Sequence, residues 1–355
     1  MRAIVFDGEG GVSLRSDMPT SALEPHQIRI HTRVSGISAG TETRNMMGPI
    51  GGRPLIPGYQ NVGIVSERGS AVTSLTVGQR VYTHHWNGGV LPDHPLIGMV
   101  RLGSGAHSAE RVGAADSADL LTLPEWISDD DAAFLSVSAI GLHNARRGRV
   151  GPGKRVLITG LGPVGLHAVQ GARLEGGEVF GLDRLPARLR WGKQFGCQYV
   201  FNANDADVWD QISAHAPFDV VIETTGVNAL LDPILRIIAG ERSPAREMLR
   251  QGTIVMVGLR DQTQYTFSLA HPKEVVLQHT SHHTRTDLKD VIVALKEGKW
   301  SIASLITHRI LPEEAPDFYR RLAAGSNEVL GVLINWDNQE HPAKRPDSQN
   351  SEEIN

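Results

Sequence analysis

An apolar run, Val156-Leu157-Ile158-Thr159, enters Gly160-Leu161-Gly162-Pro163-Val164-Gly165, and a second apolar run, Val179-Phe180-Gly181-Leu182, ends on Asp183. A strand that turns through Gly-x-Gly-x-x-Gly into a helix aims backbone amides and a helix N-terminus at a pyrophosphate. Gly160 permits the tight turn, Gly162 lets the main chain approach phosphate, and Gly165 lets helix and strand pack closely; Pro163 and Val164 open the helix beside them. Glycine-rich turns also serve as plain connections. Here the preceding strand, the helical continuation and an acidic residue about 20 positions on all agree with a dinucleotide site. The Asp183 carboxylate is expected to accept hydrogen bonds from ribose hydroxyls, which favours NAD over NADP because a 2′-phosphate would meet a like charge. Arg184 offsets part of that repulsion, and Arg188, one turn into the next helix, either reaches the same ribose or stays on the surface.

The chain has 355 residues, enough for two domains with real cores. Its 40% hydrophobic and 21% charged content and net charge of −4 give no basic face for nucleic acid, and no apolar run approaches the length a bilayer needs. A cytoplasmic protein with a small-molecule substrate is expected, with neither nucleic acid nor membrane as partner. The single cysteine, Cys197, excludes an intramolecular disulfide and a cysteine-rich zinc knot, and reads as a packed small residue.

Up to about Leu123 the signals are short strands broken by glycine and proline: Gln27 to Val34, Val62 to Arg68, and Gln79 to Tyr82. Ser128 followed by three aspartates opens a helix expected to run to Arg147. Strands at 155–159, 178–182, 199–201, 218–223 and 253–258 then alternate with helices from Pro163, at 186–195 and at about 205–214. That alternation predicts the α/β class, a doubly wound parallel sheet of the Rossmann type. A helix at 287–297 and a return segment around Leu305 to Asn335 follow, and the polar end of the chain reads as a disordered tail.

Four strings, in order, carry a resemblance beyond the fingerprint. Gly36-Ile37-Ser38-Ala39-Gly40-Thr41-Glu42 is similar to the Gly-Ile-Cys-Gly-Thr-Asp stretch of zinc alcohol dehydrogenases, and Pro57-Gly58-Tyr59-Gln60-Asn61-Val62-Gly63-Ile64-Val65 to their Pro-Gly-His-Glu-x-x-Gly-x-Val. Val77-Gly78-Gln79-Arg80-Val81 and Leu305-Ile306-Thr307-His308 match two further family strings. The chain thus resembles the medium-chain dehydrogenase/reductase superfamily over about residues 1–336. The resemblance implies a GroES-like catalytic domain at 1–137, a Rossmann NAD-binding domain at 138–287, a return to the catalytic domain at 288–337 and the tail at 338–355. The Ser-x-Gly-Thr-Glu and Gly-Tyr-x-Asn-Val-Gly strings look like a metal-free branch that includes bacteriochlorophyllide a dehydrogenase and polyol-acting relatives.

Where the zinc enzymes hold their metal, this chain has Ala39 (or Ser38), Tyr59, Gln60 and about Val137, none a thiolate, imidazole or carboxylate. No zinc is therefore expected. His84, His85, His94 and His107 fall in the same domain, but adjacent histidines on a strand point to opposite faces, so one site would not use both His84 and His85. Without a metal, side chains must stabilise the substrate oxygen and move its proton. By resemblance Thr41 is the relay hydroxyl and Tyr59 stands in the metal-binding histidine's place, where it either acts on the carbonyl or fills space. Glu42 and Gln60 are expected to bond within the floor, and Ser38 and Ser138 to meet substrate or nicotinamide or to be satisfied core hydroxyls. Gly40 replaces a phosphate-binding side chain, leaving the pyrophosphate to backbone amides. In the cofactor half, Val257, Gly258 and Leu259 are implied to line the nicotinamide, with Thr225 nearer the ribose. The segment Glu274 to His279 lies where family dimers pair, so a homodimer is expected, and His282, His283 and Arg285 after it either form a solvated loop or reach cofactor or substrate. The implied activity is hydride transfer between NAD and a secondary alcohol or ketone of a polar, hydroxylated compound. A metal-free enoyl or quinone reductase and a non-catalytic NAD(H)-binding protein are the alternatives.

Overall fold

The computed structural model describes residues 1–20, 22–47, 54–86, 105–245, 247–325 and 329–337; His94 and the tail expected at 338–355 lie outside the described residues. A six-stranded sheet runs in the order Tyr199–Asn202, Glu178–Asp183, Arg155–Thr159, Val220–Glu223, Thr253–Met256, Val276–His279. Every neighbouring pair is parallel. Strands covered on both faces read as nearly continuous apolar runs, and Val220–Glu223, apolar up to its terminal glutamate, is buried at every position. Alternate residues serve the two faces: Val156, Ile158 and Val220 join one core, and Leu157 and Val221 the other. Strand order reverses between Arg155–Thr159 and Val220–Glu223, which opens a crevice at their carboxyl ends.

The second, seven-stranded sheet runs Ile306–Ile310, Gly331–Asn335, Gln27–Ile37, Gln60–Arg68, Arg80–His84, Leu120–Thr122, with Glu110–Ala114 paired to Gln27–Ile37. The chain's return thus completes the N-terminal sheet, with Val332 opposite Ile37 in an antiparallel pair. Among the described residues no helix is long and apolar enough to cross a membrane. Cys197 is buried, and burial pushes its thiol up to about 12, against only partial help from Lys193 and Arg173.

Several boundaries differ from those expected. The helix read over 128–147 is two, Asp129–Ala132 and Leu135–Arg147. Ser128 does cap the first, accepting a bond from the Asp131 amide at 3.0 Å. At the break the neighbouring strand packs closely, since a Cβ on Gly36 would stand 2.6 Å from the Ala133 carbonyl. Helix Arg285–Lys296 starts two residues earlier than expected because Thr284 and Asp287 form a capping box. Helix Ala39–Met47 was not foreseen, since Gly40, Thr41 and Thr43 are poor helix formers. The hairpin of Gly240–Arg242 and Met248–Gln251 was also missed. Strand Thr253–Met256 ends before Val257, which frees Val257 to Leu259 for the crevice.

Candidate active site

Between the two sheets lies a cleft of about 810 Å³. The glycine turn forms one wall. Gly160 has φ +87°, and a Cβ on Gly165 would stand 1.8 Å from the Gly160 carbonyl, so only glycine fits. Thr224 Oγ1 donates to the carbonyls of Thr159 and Gly160, both at 2.9 Å, and so pins the turn. Gly162 is the N-cap of helix Pro163–Leu174, with Pro163 in the first turn and Val164 after it at the cleft wall.

Asp183 also lines the cleft, but more as a brace than expected. Its carboxylate accepts the Leu161 amide at 2.8 Å and the Leu185 amide at 2.9 Å, and Arg188 Nη1 lies 3.8 Å away. A carboxylate has lone pairs left for a ribose after two such bonds. Arg184 and Arg188 line the same end, so Arg188 belongs to the cleft and is not a plain surface side chain. Two buried donors there have no partner: Thr159 Oγ1 and Arg188 Nε. At the other end, Thr225, Val257, Gly258 and Leu259 line the wall, and Leu259 is 60% exposed. The two strand ends touch, since a Cβ on Gly258 would meet the Gly226 amide at 2.0 Å. Beneath them Glu223, fully buried, pairs with Arg260 and accepts the Thr225 amide at 2.7 Å.

The facing wall comes from helix Ala39–Met47. Ser38, Gly40 and Thr41 reach the cleft, and a Cβ on Gly40 would meet nothing within 4 Å, so the main chain there stands open to a ligand. Tyr59 lies behind this wall, 9% exposed, its ring stacked on His85 with centroids 4.8 Å apart. Burial pushes the Tyr59 phenol well above the usual tyrosine range; a hydrogen bond with Ser38 acts the other way, and the Glu42 charge adds to the rise. Glu42 is buried and accepts the Ser38 amide at 2.7 Å. Gln60, by contrast, does not bond within the floor: both its amide atoms are buried and unpartnered.

The histidines are arranged differently from expectation. His85 leaves the strand with φ +45°, so strand alternation no longer separates it from His84. His84 approaches His283 (centroids 4.8 Å), and His85 approaches His282 (5.0 Å). His283 is no solvated loop residue, since its Nε2 lies 2.9 Å from Ser136 Oγ. Burial first, then His283 and His85, hold His84 down at about 3, and burial with His282 and His283 holds His85 at about 4. Ser138 is turned from the cleft toward His167, 3.3 Å from Nε2.

Among the described residues no group of three or more histidines, cysteines or acids is arranged to hold a metal ion. The donor set gives the reason at the position where the zinc enzymes bind theirs: Val137 lines the cleft with an apolar side chain, and Ala39, Tyr59 and Gln60 supply neither thiolate nor imidazole. A catalytic zinc does not fit these residues. The cleft residues missed from sequence include Ala203, Val227 and Leu230 as well as Arg44 and Phe134. Arg44, which pairs with Asp261 at 2.6 Å, is one turn from Gly40 on the unforeseen helix. Phe134 marks the unforeseen helix break.

The alcohol dehydrogenase GroES-like domain family matches residues 24–120, and the family described as zinc-binding dehydrogenase matches residues 163–297. Sorbitol dehydrogenase 2 of Saccharomyces cerevisiae is 24% identical, over 94% of this chain and 97% of its own length. The structure of 2R,3R-butanediol dehydrogenase from Bacillus subtilis superposes with a TM-score of 0.79 at 19% identity, covering 94% of this chain and 99% of that one. A putative zinc-binding dehydrogenase from Sinorhizobium meliloti 1021 bound to NADP superposes with a TM-score of 0.76 at 22% identity, covering 94% and 98%.

Proposed function

The chain belongs to the medium-chain dehydrogenase/reductase superfamily, and from that premise we propose that it is a zinc-independent, NAD-dependent dehydrogenase acting on a secondary alcohol, or the matching ketone, of a polar, hydroxylated compound. The observation that carries this reading is a built dinucleotide cleft facing hydroxyl donors where relatives of the zinc type hold a metal. Residues 138–287 hold the cofactor, and 1–137 with 288–337 hold the substrate. The polyol and diol names of the relatives support a hydroxylated substrate.

NAD, when bound, supplies or accepts the hydride at its nicotinamide. The chain's residues do the rest. Amides of the glycine turn and the helix N-terminus receive the pyrophosphate. The unpartnered Thr159 hydroxyl and Arg188 Nε provide further donors, and the spare lone pairs of Asp183 receive ribose hydroxyls. Val257 and Leu259 hold the apolar face of the ring against the wall. Ser38 and Thr41 offer hydroxyls to the substrate oxygen at the cleft wall, and Tyr59, protonated behind that wall and bonded to Ser38, acts on that oxygen through the Ser38 hydroxyl. A homodimer through the edge strand Val276–His279 completes the reading.

Initial rates on secondary alcohols and polyols with NAD, on enones with NADH, and on both with the phosphorylated cofactors test it. Oxidation of a polyol or diol with NAD is expected. Activity confined to enones would replace the reading with a double-bond reductase, and tight NADH binding without turnover on either class would make the protein a binder.

A further inference from the structure

Under Tyr59 lies a buried hydrogen-bond chain whose members come from five separate segments. Trp336 Nε1 donates to Ser35 Oγ at 2.9 Å, and Ser35 Oγ lies 2.7 Å from His107 Nδ1. His107 Nε2 is 2.9 Å from Glu42 Oε2, the same oxygen that accepts the Tyr319 hydroxyl. Glu42 Oε1 takes the Ser38 amide at 2.7 Å. Ser35, His107 and Tyr319 are wholly buried, and Glu42 is 2% exposed.

The donors and acceptors close with His107 in the tautomer that carries its hydrogen on Nε2. Trp336 gives its N–H to Ser35, Ser35 gives its hydroxyl hydrogen to His107 Nδ1, and His107 gives its Nε2 hydrogen to Glu42. Tyr319 and the Ser38 amide supply the other two. Every hydrogen is used once, and Glu42 accepts throughout, as a carboxylate does. His107 also acts on the turn ahead of Tyr59. Its amide donates to the Pro57 carbonyl at 3.1 Å, and its ring lies under Gly58, where a Cβ would meet it at 2.8 Å. One residue therefore supports Tyr59 from the chain side, through Pro57 and Gly58, and from the Ser38 side, through Glu42.

We propose that His107 and Tyr319 are positioning residues for the acid/base site, which hold the Glu42 carboxylate in place beneath Ser38 and Tyr59 and so fix where the Tyr59 hydroxyl points. The proposal rests on the reading of Tyr59 above. The groups facing Glu42 are His107 from the segment before strand Glu110–Ala114, Tyr319 from helix Ala315–Ala323, and Tyr59 itself.

Two measurements on the full-length enzyme test it. The first is kcat and KM, with NADH affinity and melting temperature alongside, for His107→Phe, His107→Gln and Tyr319→Phe. His107→Phe should lower kcat by between about tenfold and a hundredfold, with NADH affinity kept. Glutamine, which retains a donor, should restore most of kcat, and Tyr319→Phe should lower kcat in the same way. The second needs no substrate: crystal structures of the wild-type protein and of His107→Phe. In the variant the Glu42 carboxylate and the Tyr59 hydroxyl should both leave their wild-type positions.

An unchanged kcat in His107→Phe, or parallel losses of kcat, NADH affinity and melting temperature that glutamine does not repair, would reduce His107 to packing and overturn the proposal. Unmoved Glu42 and Tyr59 side chains in the His107→Phe structure would do the same. A protein that binds no NADH or turns over no alcohol defeats the dehydrogenase reading instead, while the two structures still decide whether His107 places Tyr59.

Discussion

The glycine wall and the floor beneath Tyr59 border one cleft, yet they are made differently. In the wall, backbone does the work: Gly160, Gly162 and Gly165 lie within six residues, and what they need is the absence of side chains. In the floor, buried side chains do it, and Ser35, Glu42, Tyr59, His107, Tyr319 and Trp336 come from distant parts of the chain. A backbone site tolerates no added atom, whereas a side-chain network tolerates exchange that keeps each donor and acceptor. The two walls should therefore fail in different ways when altered.

The largest effect is expected in the wall. Gly165→Val puts a Cβ 1.8 Å from a carbonyl that cannot move without breaking the turn. Calorimetric NADH affinity should fall by at least about a hundredfold; an affinity close to wild type would show that the turn is not the phosphate cradle. Tyr59→Phe should break the other wall alone, with kcat down about a hundredfold and NADH affinity kept. Steady-state kinetics beside cofactor titration read both, and a full kcat would return Tyr59 to space filling.

A brace inside the cofactor half comes next. Asp287 bonds His143 Nδ1 and Arg146 Nη1 of helix Leu135–Arg147, each at 2.8 Å. Burial opposes its ionisation, but bonds from His143, Thr284 and Arg146 outweigh burial and hold the carboxyl well below its usual range. Asp287→Asn should cost about 2 kcal/mol at pH 7 by denaturant unfolding. Because the folded-state value is depressed, this contribution is present above about pH 4 and fades as pH falls toward the folded value. The gap between wild type and variant should narrow in acid, and a gap constant with pH would refute the ionic account. The smallest effect is expected from Asp183→Asn, which keeps an acceptor for one loop amide and removes the charge. The preference for NADH over NADPH should drop by roughly tenfold or less, as thermal shift with each cofactor would register.

The fold could be read from the chain because its signals are local. The glycine turn, the apolar strands and Ser128 each sit beside what they control, and the cleft gathers every residue assigned to the cofactor. Helix Ala39–Met47 was hidden by its own weak formers, and Arg44 with it. The floor was hidden for a different reason. His107 reads as one more polar residue until the return strand and helix Ala315–Ala323 bring Trp336 and Tyr319 to it. The expected pairing of Gln60 failed because that expectation came from residues this chain does not have: with no zinc-type neighbours, its amide is left buried and bare. The separation of His84 from His85 failed because strand alternation stops where the backbone turns to positive φ.

The central claim is that hydroxyl donors, not a metal, hold the reacting oxygen. Metal analysis of the purified active enzyme, followed by turnover after exhaustive chelation, tests it most directly. The account predicts substoichiometric transition metal and undiminished turnover; a stoichiometric ion, with activity lost on its removal and regained on its return, would contradict it.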